Sequence, residues 1–278
     1  MLTRLVVCLN QVSVVVAEAL VDKENDGVRH LILFDPSRCD VSTLRSKGVC
    51  CVSVNYRFYL LLALVVFRFT RNVEVCVPHY KFGRVMRLLC MLGGRTSLID
   101  DGLDSLRNVP KNVEPERFPK GTAYYTFHYS IDLGEWLRRF SVKKIAHFSA
   151  LSNASNESLG FKGVDTLIIE SPPIERAISS LSFNPKKSLL ITHTNGGKRK
   201  ITNFPGMQLS GAEISIEKTL DSFSGLVIVG ESMVAVFALT KENPKFNIVV
   251  CISRDNFDNL YPLVSMVKKC PFAELSVY

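Results

Sequence analysis

Three things are missing from this chain of 278 residues. No two of its eight cysteines stand in Cys-x-x-Cys spacing, and no group of Cys, His, Asp and Glu has the spacing of metal ligands. That argues against a zinc site, and no metal is expected. Cys8, Cys39, Cys50, Cys51, Cys76, Cys90, Cys251 and Cys270 read instead as small buried hydrophobes in a reducing compartment. No apolar run reaches the roughly 20 residues that span a bilayer. The strongest, residues 59–67 between Arg57 and Arg68, reads as a buried helix, with peripheral membrane contact as the lesser option. The apolar start is broken by Asn10, Gln11, Ser13 and Glu18 and lacks a convincing cleavage site, so a cytoplasmic protein is expected. Aromatic and basic residues do not interleave and no recognition element is present, so nucleic acid is not an expected partner.

What is present points to a folded chain with an anionic partner. Hydrophobic residues make up 47% of the sequence, enough for one large domain or two of ordinary size. The formal net charge of +8 suits a nucleotide, an anionic glycan or an acidic membrane surface, without choosing among them.

Short β-branched runs alternate with helical stretches. Strands are expected at 5–9, 30–34, 73–77 and 96–99, with helices at 13–21, 55–69 and 81–91. Residues 108–121 hold Pro110, Pro115 and Pro119 among charges and form a surface loop, either an acceptor-binding lid or a plain connection. An aromatic run at 124–129 and a short helix at 132–140 follow. The small, polar residues 149–160 are the expected linker. The second half repeats the alternation, with strands at 165–169, 188–192, 225–229 and 247–252 and helices at 174–181, 213–220, 233–239 and 257–268. The expectation is an α/β protein with parallel sheets: two Rossmann-like domains, 1–155 and 156–278, facing across a cleft.

Asp100-Asp101-Gly102 ends the strand at 96–99, where open α/β sheets place their ligands. A partly desolvated carboxylate there has a raised pKa and suits general-base work. Asp-Gly is equally an ordinary turn signal. His193 follows a second-half strand, and Gly230-Glu231-Ser232 opens a helix.

That order of motifs resembles the bacterial sialyltransferases and polysialyltransferases, above all the lipooligosaccharide type, which have the two-Rossmann (GT-B) fold. Asp100-Asp101-Gly102 matches their acidic-acidic-Gly motif. Thr192-His193-Thr194 stands at their His-Pro position with Thr194 in place of proline, and Gly230-Glu231-Ser232 keeps only Ser232 of their paired-serine turn.

The resemblance implies an inverting, metal-independent transferase that needs no cofactor. It would move sialic acid or a related nonulosonate from a CMP-activated donor to a surface-glycan or glycolipid acceptor at the inner membrane face. Asp101, with Asp100 close behind, would deprotonate the acceptor, and His193 would assist the leaving phosphate. Thr194, Asn195, Gly230, Glu231, Ser232 and Glu213 would line the donor site. Each has a plain counterpart. His193 also suits a loop cap, Gly230-Glu231-Ser232 an ordinary helix start, and Lys198-Arg199-Lys200 a solvated turn. Glu213 and Glu217 suit a solvent face, and Glu170 is a rival base. The alternatives are a transferase of this fold using another nucleotide sugar, or a non-catalytic glycan- or nucleotide-binding protein.

Overall fold

The computed structural model describes residues 2–23, 27–53, 73–78, 95–100, 102–111, 113–129, 132–146, 161–171, 174–192, 204–210 and 216–278. The expected helices at 55–69 and 81–91 and the linker at 149–160 lie outside these residues. By contacts the chain forms two compact units. One comprises residues 1–105, 109–129 and 134–150; the other comprises 106–108, 130–133 and 151–278.

In the first unit, strands β1 (Leu2–Cys8), β2 (Val28–Phe34), β3 (Cys50–Ser53), β4 (Val73–Pro78), β5 (Arg95–Ile99), β6 (Ala123–Phe127) and β7 (Ser141–Ala146) form a single sheet. Its order is β3-β2-β1-β4-β5-β6-β7, and every pairing is parallel. The second unit holds β8 (Thr166–Ile169), β9 (Ser188–Thr192), β10 (Met207–Ser210), β11 (Leu226–Val229), β12 (Asn247–Ile252) and β13 (Ala273–Val277). Their order, β10-β9-β8-β11-β12-β13, is again wholly parallel. In both sheets the chain steps outward twice, then returns to the other side of its first strand. This is the doubly wound Rossmann order. The protein is therefore α/β, with two Rossmann-like units.

Buried parallel strands need apolar residues on both faces, which is why β8, β11 and β12 read as nearly continuous apolar runs, while β4 is apolar except for the buried Glu74. Helix α1 (Gln11–Lys23) lies against β1, β5, β6 and β7, burying Val14, Val15, Val16, Ala17 and Leu20. Its start is capped from within. Asn10 Oδ1 accepts the Ser13 amide at 2.9 Å, and Ser13 Oγ accepts the Asn10 amide at 3.3 Å. Gln11 clamps the loop after β2, accepting from the Asp40 amide at 2.9 Å and donating to the Asp40 carbonyl at 3.3 Å.

The described helices of the second unit begin with α3 (Ile174–Ile178), numbered after the short α2 (Ser42–Ser46) of the first. Ile174 and Ala177 of α3 pack on Ile168, Leu190, Ile228 and Cys251 of the sheet. Helices α4 (Ile216–Ser222), α5 (Met233–Leu239) and α6 (Tyr261–Lys269) follow. The strand Asn247–Ile252 and the helix Met233–Leu239 fall where the periodicity places them. Helix α6 starts later than the expected 257, because the turn Arg254–Asn256 is 3-10 and Pro262 occupies the first turn of α6. Likewise the helix expected at 132–140 is a 3-10 turn, Glu135–Arg139, and α3 ends at Ile178 instead of continuing to residue 181. Among the described residues, no helix is long and apolar enough to cross a membrane.

One glycine is essential to the second sheet. Gly225 has φ +155°, and a Cβ there would lie 2.4 Å from the Asp165 carbonyl oxygen. That oxygen also accepts the Leu226 amide at 3.0 Å, so it cannot retreat without loosening the start of β11. Gly225→Ala is expected to cost about 3 kcal/mol, seen as a fall of roughly 6–12 °C in the thermal midpoint. An unchanged midpoint would contradict this tight approach.

Candidate functional site

In an open parallel sheet the ligand crevice lies beyond the carboxyl ends of the strands, where the strand order reverses. That point falls between β1 and β4 in the first unit and between β8 and β11 in the second.

In the first unit, Asp100 follows β5 and stays on the ladder, its amide donating to the Tyr125 carbonyl at 2.8 Å. Its side chain is fully buried. Oδ1 accepts from the Gly102 amide at 2.8 Å and from Ser105 Oγ at 2.7 Å. Oδ2 accepts from the Tyr129 hydroxyl at 2.6 Å and from Thr126 Oγ1. The Ser105 proton goes to Asp100, so the Tyr124 hydroxyl, 3.0 Å from Ser105 Oγ, is the donor of that pair. Gly102, at φ +118°, makes the tight turn back toward the carboxylate. Burial pushes the Tyr129 phenol well above its ordinary pKa, and the Asp100 charge adds to this. Tyr129 therefore stays a protonated donor. Asp101 lies outside the described residues.

In the second unit, the carboxyl ends of β8 and β11 are tied together. Ser171 Oγ accepts the Gly230 amide at 2.7 Å and donates to the Ile169 carbonyl at 3.3 Å. Beside it Glu170 is buried, with its amide on the Ile191 carbonyl at 2.9 Å. Glu231, only 9% exposed, turns its carboxylate onto the loop after β12. It accepts from the Ser253 amide at 3.0 Å and from Asn256 Nδ2 at 2.8 and 3.1 Å, with Arg107 Nη2 at 3.8 Å. Ser232 is the N-cap of α5 in extended conformation, yet its hydroxyl makes no capping bond. Its Oγ is buried and finds no hydrogen-bond partner among the described residues. The Tyr278 hydroxyl is likewise buried without a partner, and burial, reinforced by the Glu231 charge, raises its pKa.

The structure thus gathers Gly230, Glu231 and Ser232 with Glu170 and Ser171 at the second switch point. His193, Thr194, Asn195 and Glu213, with the basic triplet Lys198-Arg199-Lys200, lie outside the described residues. The partners of the acidic residues went unread in the sequence: Ser105, Thr126 and Tyr129 around Asp100, and Arg107, Ser253 and Asn256 around Glu231. One local signal was available. Asp100, Gly102 and Ser105 have the spacing of a side chain that accepts from its own turn. Among the described residues, no group of His, Cys, Asp and Glu could hold a metal ion.

No protein-family model matches the chain, and no curated protein matches it. Among solved structures the chain is similar to MurG of Acinetobacter baumannii, at 11% identity and a TM-score of 0.45. That similarity covers 100% of this chain and 86% of that one. The fold assignment rests on the two strand orders.

Proposed function

We propose that this chain is a glycosyltransferase that moves a sugar from a nucleotide-activated donor to a glycan acceptor. The donor we favour is a CMP-activated sialic acid or related nonulosonate, and the acceptor a surface glycan or glycolipid met at the inner membrane face. The observation that carries the reading is the second switch point. There a Rossmann-ordered sheet ends in Gly230-Glu231-Ser232, and the buried Ser232 hydroxyl has no hydrogen-bond partner among the described residues.

In this reading Asp101 removes the proton from an acceptor hydroxyl as its oxygen attacks the donor's anomeric carbon. The bond from that carbon to the CMP phosphate breaks with inversion. The departing phosphate gains charge, which hydrogen-bond donors stabilise; Ser232 and His193 fill that role, with Gly230, Thr194, Asn195 and Glu213 around the nucleotide. Glu231 then serves the site indirectly, by fixing the Ser253–Asn256 turn. The chemistry as drawn requires no metal.

A thermal-shift screen tests this, using CMP, CDP, UMP, UDP, GDP and CMP-sialic acid with and without EDTA. Selective stabilisation by cytidine ligands that survives EDTA is expected. A concentration of 100 times Kd should add about 2.7 kcal/mol. A shift with uridine or guanosine nucleotides alone would discard the CMP donor. A second reading, a non-catalytic nucleotide- or glycan-binding protein, is favoured by one observation: the Gly230 amide and both Glu231 oxygens are already bonded to the protein. It predicts the same stabilisation without turnover.

A further inference from the structure

We propose that Asp100 is a positioning residue: caged by Tyr129, Thr126, Ser105 and the Gly102 amide, its carboxylate pins Gly102 and Ser105 to the end of β6 and takes no proton from substrate. The cage stands on the structure alone; its purpose rests on the transferase reading above.

Access and hydrogen-bonding capacity both set Asp100 apart from a base. A general base must come within about 2.6–3.2 Å of the proton it removes, directly or through one water. Asp100 has no exposed surface. A carboxylate offers about four acceptor positions, and two donors already sit on each oxygen. The donors come from three places: the turn itself through Gly102, the 3-10 turn Leu103–Leu106 through Ser105, and β6 with the residues just after it through Thr126 and Tyr129. Each is an N–H or O–H directed at the carboxylate. Tyr129 keeps its proton at any physiological pH, because burial and the Asp100 charge both oppose its ionisation. The carboxylate therefore pins the backbone at Gly102 and the hydroxyl at Ser105 to the end of β6. The turn between them is held from both sides.

Asparagine and alanine at position 100 separate the roles. In Asp100→Asn the amide oxygen still accepts from Gly102 and Ser105. The Thr126 and Tyr129 hydroxyls can rotate to accept from the new NH2 group. A positioning role then predicts that Asp100→Asn keeps at least about a tenth of wild-type transfer from CMP-sialic acid, whereas loss of a base costs about 10²–10⁴-fold. Asp100→Ala removes the acceptor altogether and should speed amide exchange at Gly102 about 100-fold, losing transfer with it.

Tyr129→Phe adds a pH test. If another group is the base, the acid limb of kcat/KM stays in place while kcat falls. If Asp100 were the base, losing a donor to its charged form would raise that limb by about one pH unit. An inactive Asp100→Asn with Gly102 exchange unchanged, or a shifted limb in Tyr129→Phe, would overturn the proposal. Should the wild-type chain turn over no nucleotide sugar, the transferase reading fails by itself. Gly102 exchange in Asp100→Ala then decides the cage: faster exchange upholds it and unchanged exchange refutes it.

Discussion

Replacing Asp101 with Asn is expected to lower sugar transfer about 10²–10⁴-fold, the usual range for a lost general base, with the thermal midpoint unchanged. The expectation has two sources. In the proposed reaction the acceptor hydroxyl is a poor nucleophile until a carboxylate takes its proton. Of the adjacent pair, Asp100 already has two protein donors on each carboxylate oxygen. The measurement is initial rate against donor concentration, with melting curves on the same samples. A fall in kcat with KM for the donor unchanged places the loss in the transition state. Full activity in Asp101→Asn would move the base elsewhere, with Glu170 at the end of β8 the first residue to replace.

The second large effect concerns stability. Arg4 on β1 and Glu74 on β4 pair across neighbouring strands, both buried. Arg4 Nε and Nη2 donate to Glu74 Oε2 at 2.8 and 2.6 Å, and Ser97 Oγ on β5 donates to Oε1. The guanidinium also stands 5.6 Å from the centre of the Tyr125 ring on β6. A parallel sheet usually buries apolar side chains on both faces, so an ionic stripe across four of its strands is a costly feature. Its contribution is asymmetric. Glu74→Ala leaves the Arg4 charge buried without its carboxylate and is expected to cost about 3–5 kcal/mol. Replacing both partners with apolar residues, Arg4→Met with Glu74→Leu, should cost far less, since that also removes the desolvated charges. Urea titrations of the two variants test this. A double variant as unstable as Glu74→Ala would mean that the pair contributes net stability beyond satisfying its own burial.

Apolar runs made the interior of both sheets legible. Strands β1, β2, β4, β5, β8, β9, β11 and β12 each bury an apolar stretch, and the residue pattern finds each of them. Of the five strands that it does not assign, the interior β6 shows only as an aromatic run, and the other four, β3, β7, β10 and β13, are the sheet edges. β7 shows why. Ser141, Val142, Lys143 and Lys144 are exposed, and lysines on an edge discourage pairing with another chain. A strand with one free side has no need for an apolar run, so its sequence looks like a loop.

The candidate site divides the same way. The Asp100-Asp101-Gly102 turn and the Gly230-Glu231-Ser232 helix start are local features, visible in the order of residues. Their surroundings are not local. Tyr129 and Thr126 reach Asp100 only because β5 and β6 are neighbours, and Asn256 meets Glu231 across 25 positions of sequence.

By itself, then, the sequence determined the class of fold and the places where its strands end, because burial on two faces demands apolar runs and turns demand particular residues. Only the tertiary structure decided which donors surround the acidic residues. Whether a carboxylate is available to a substrate depends on which donors the folded chain brings to it, and those come from strands and turns that adjoin only in the folded sheet.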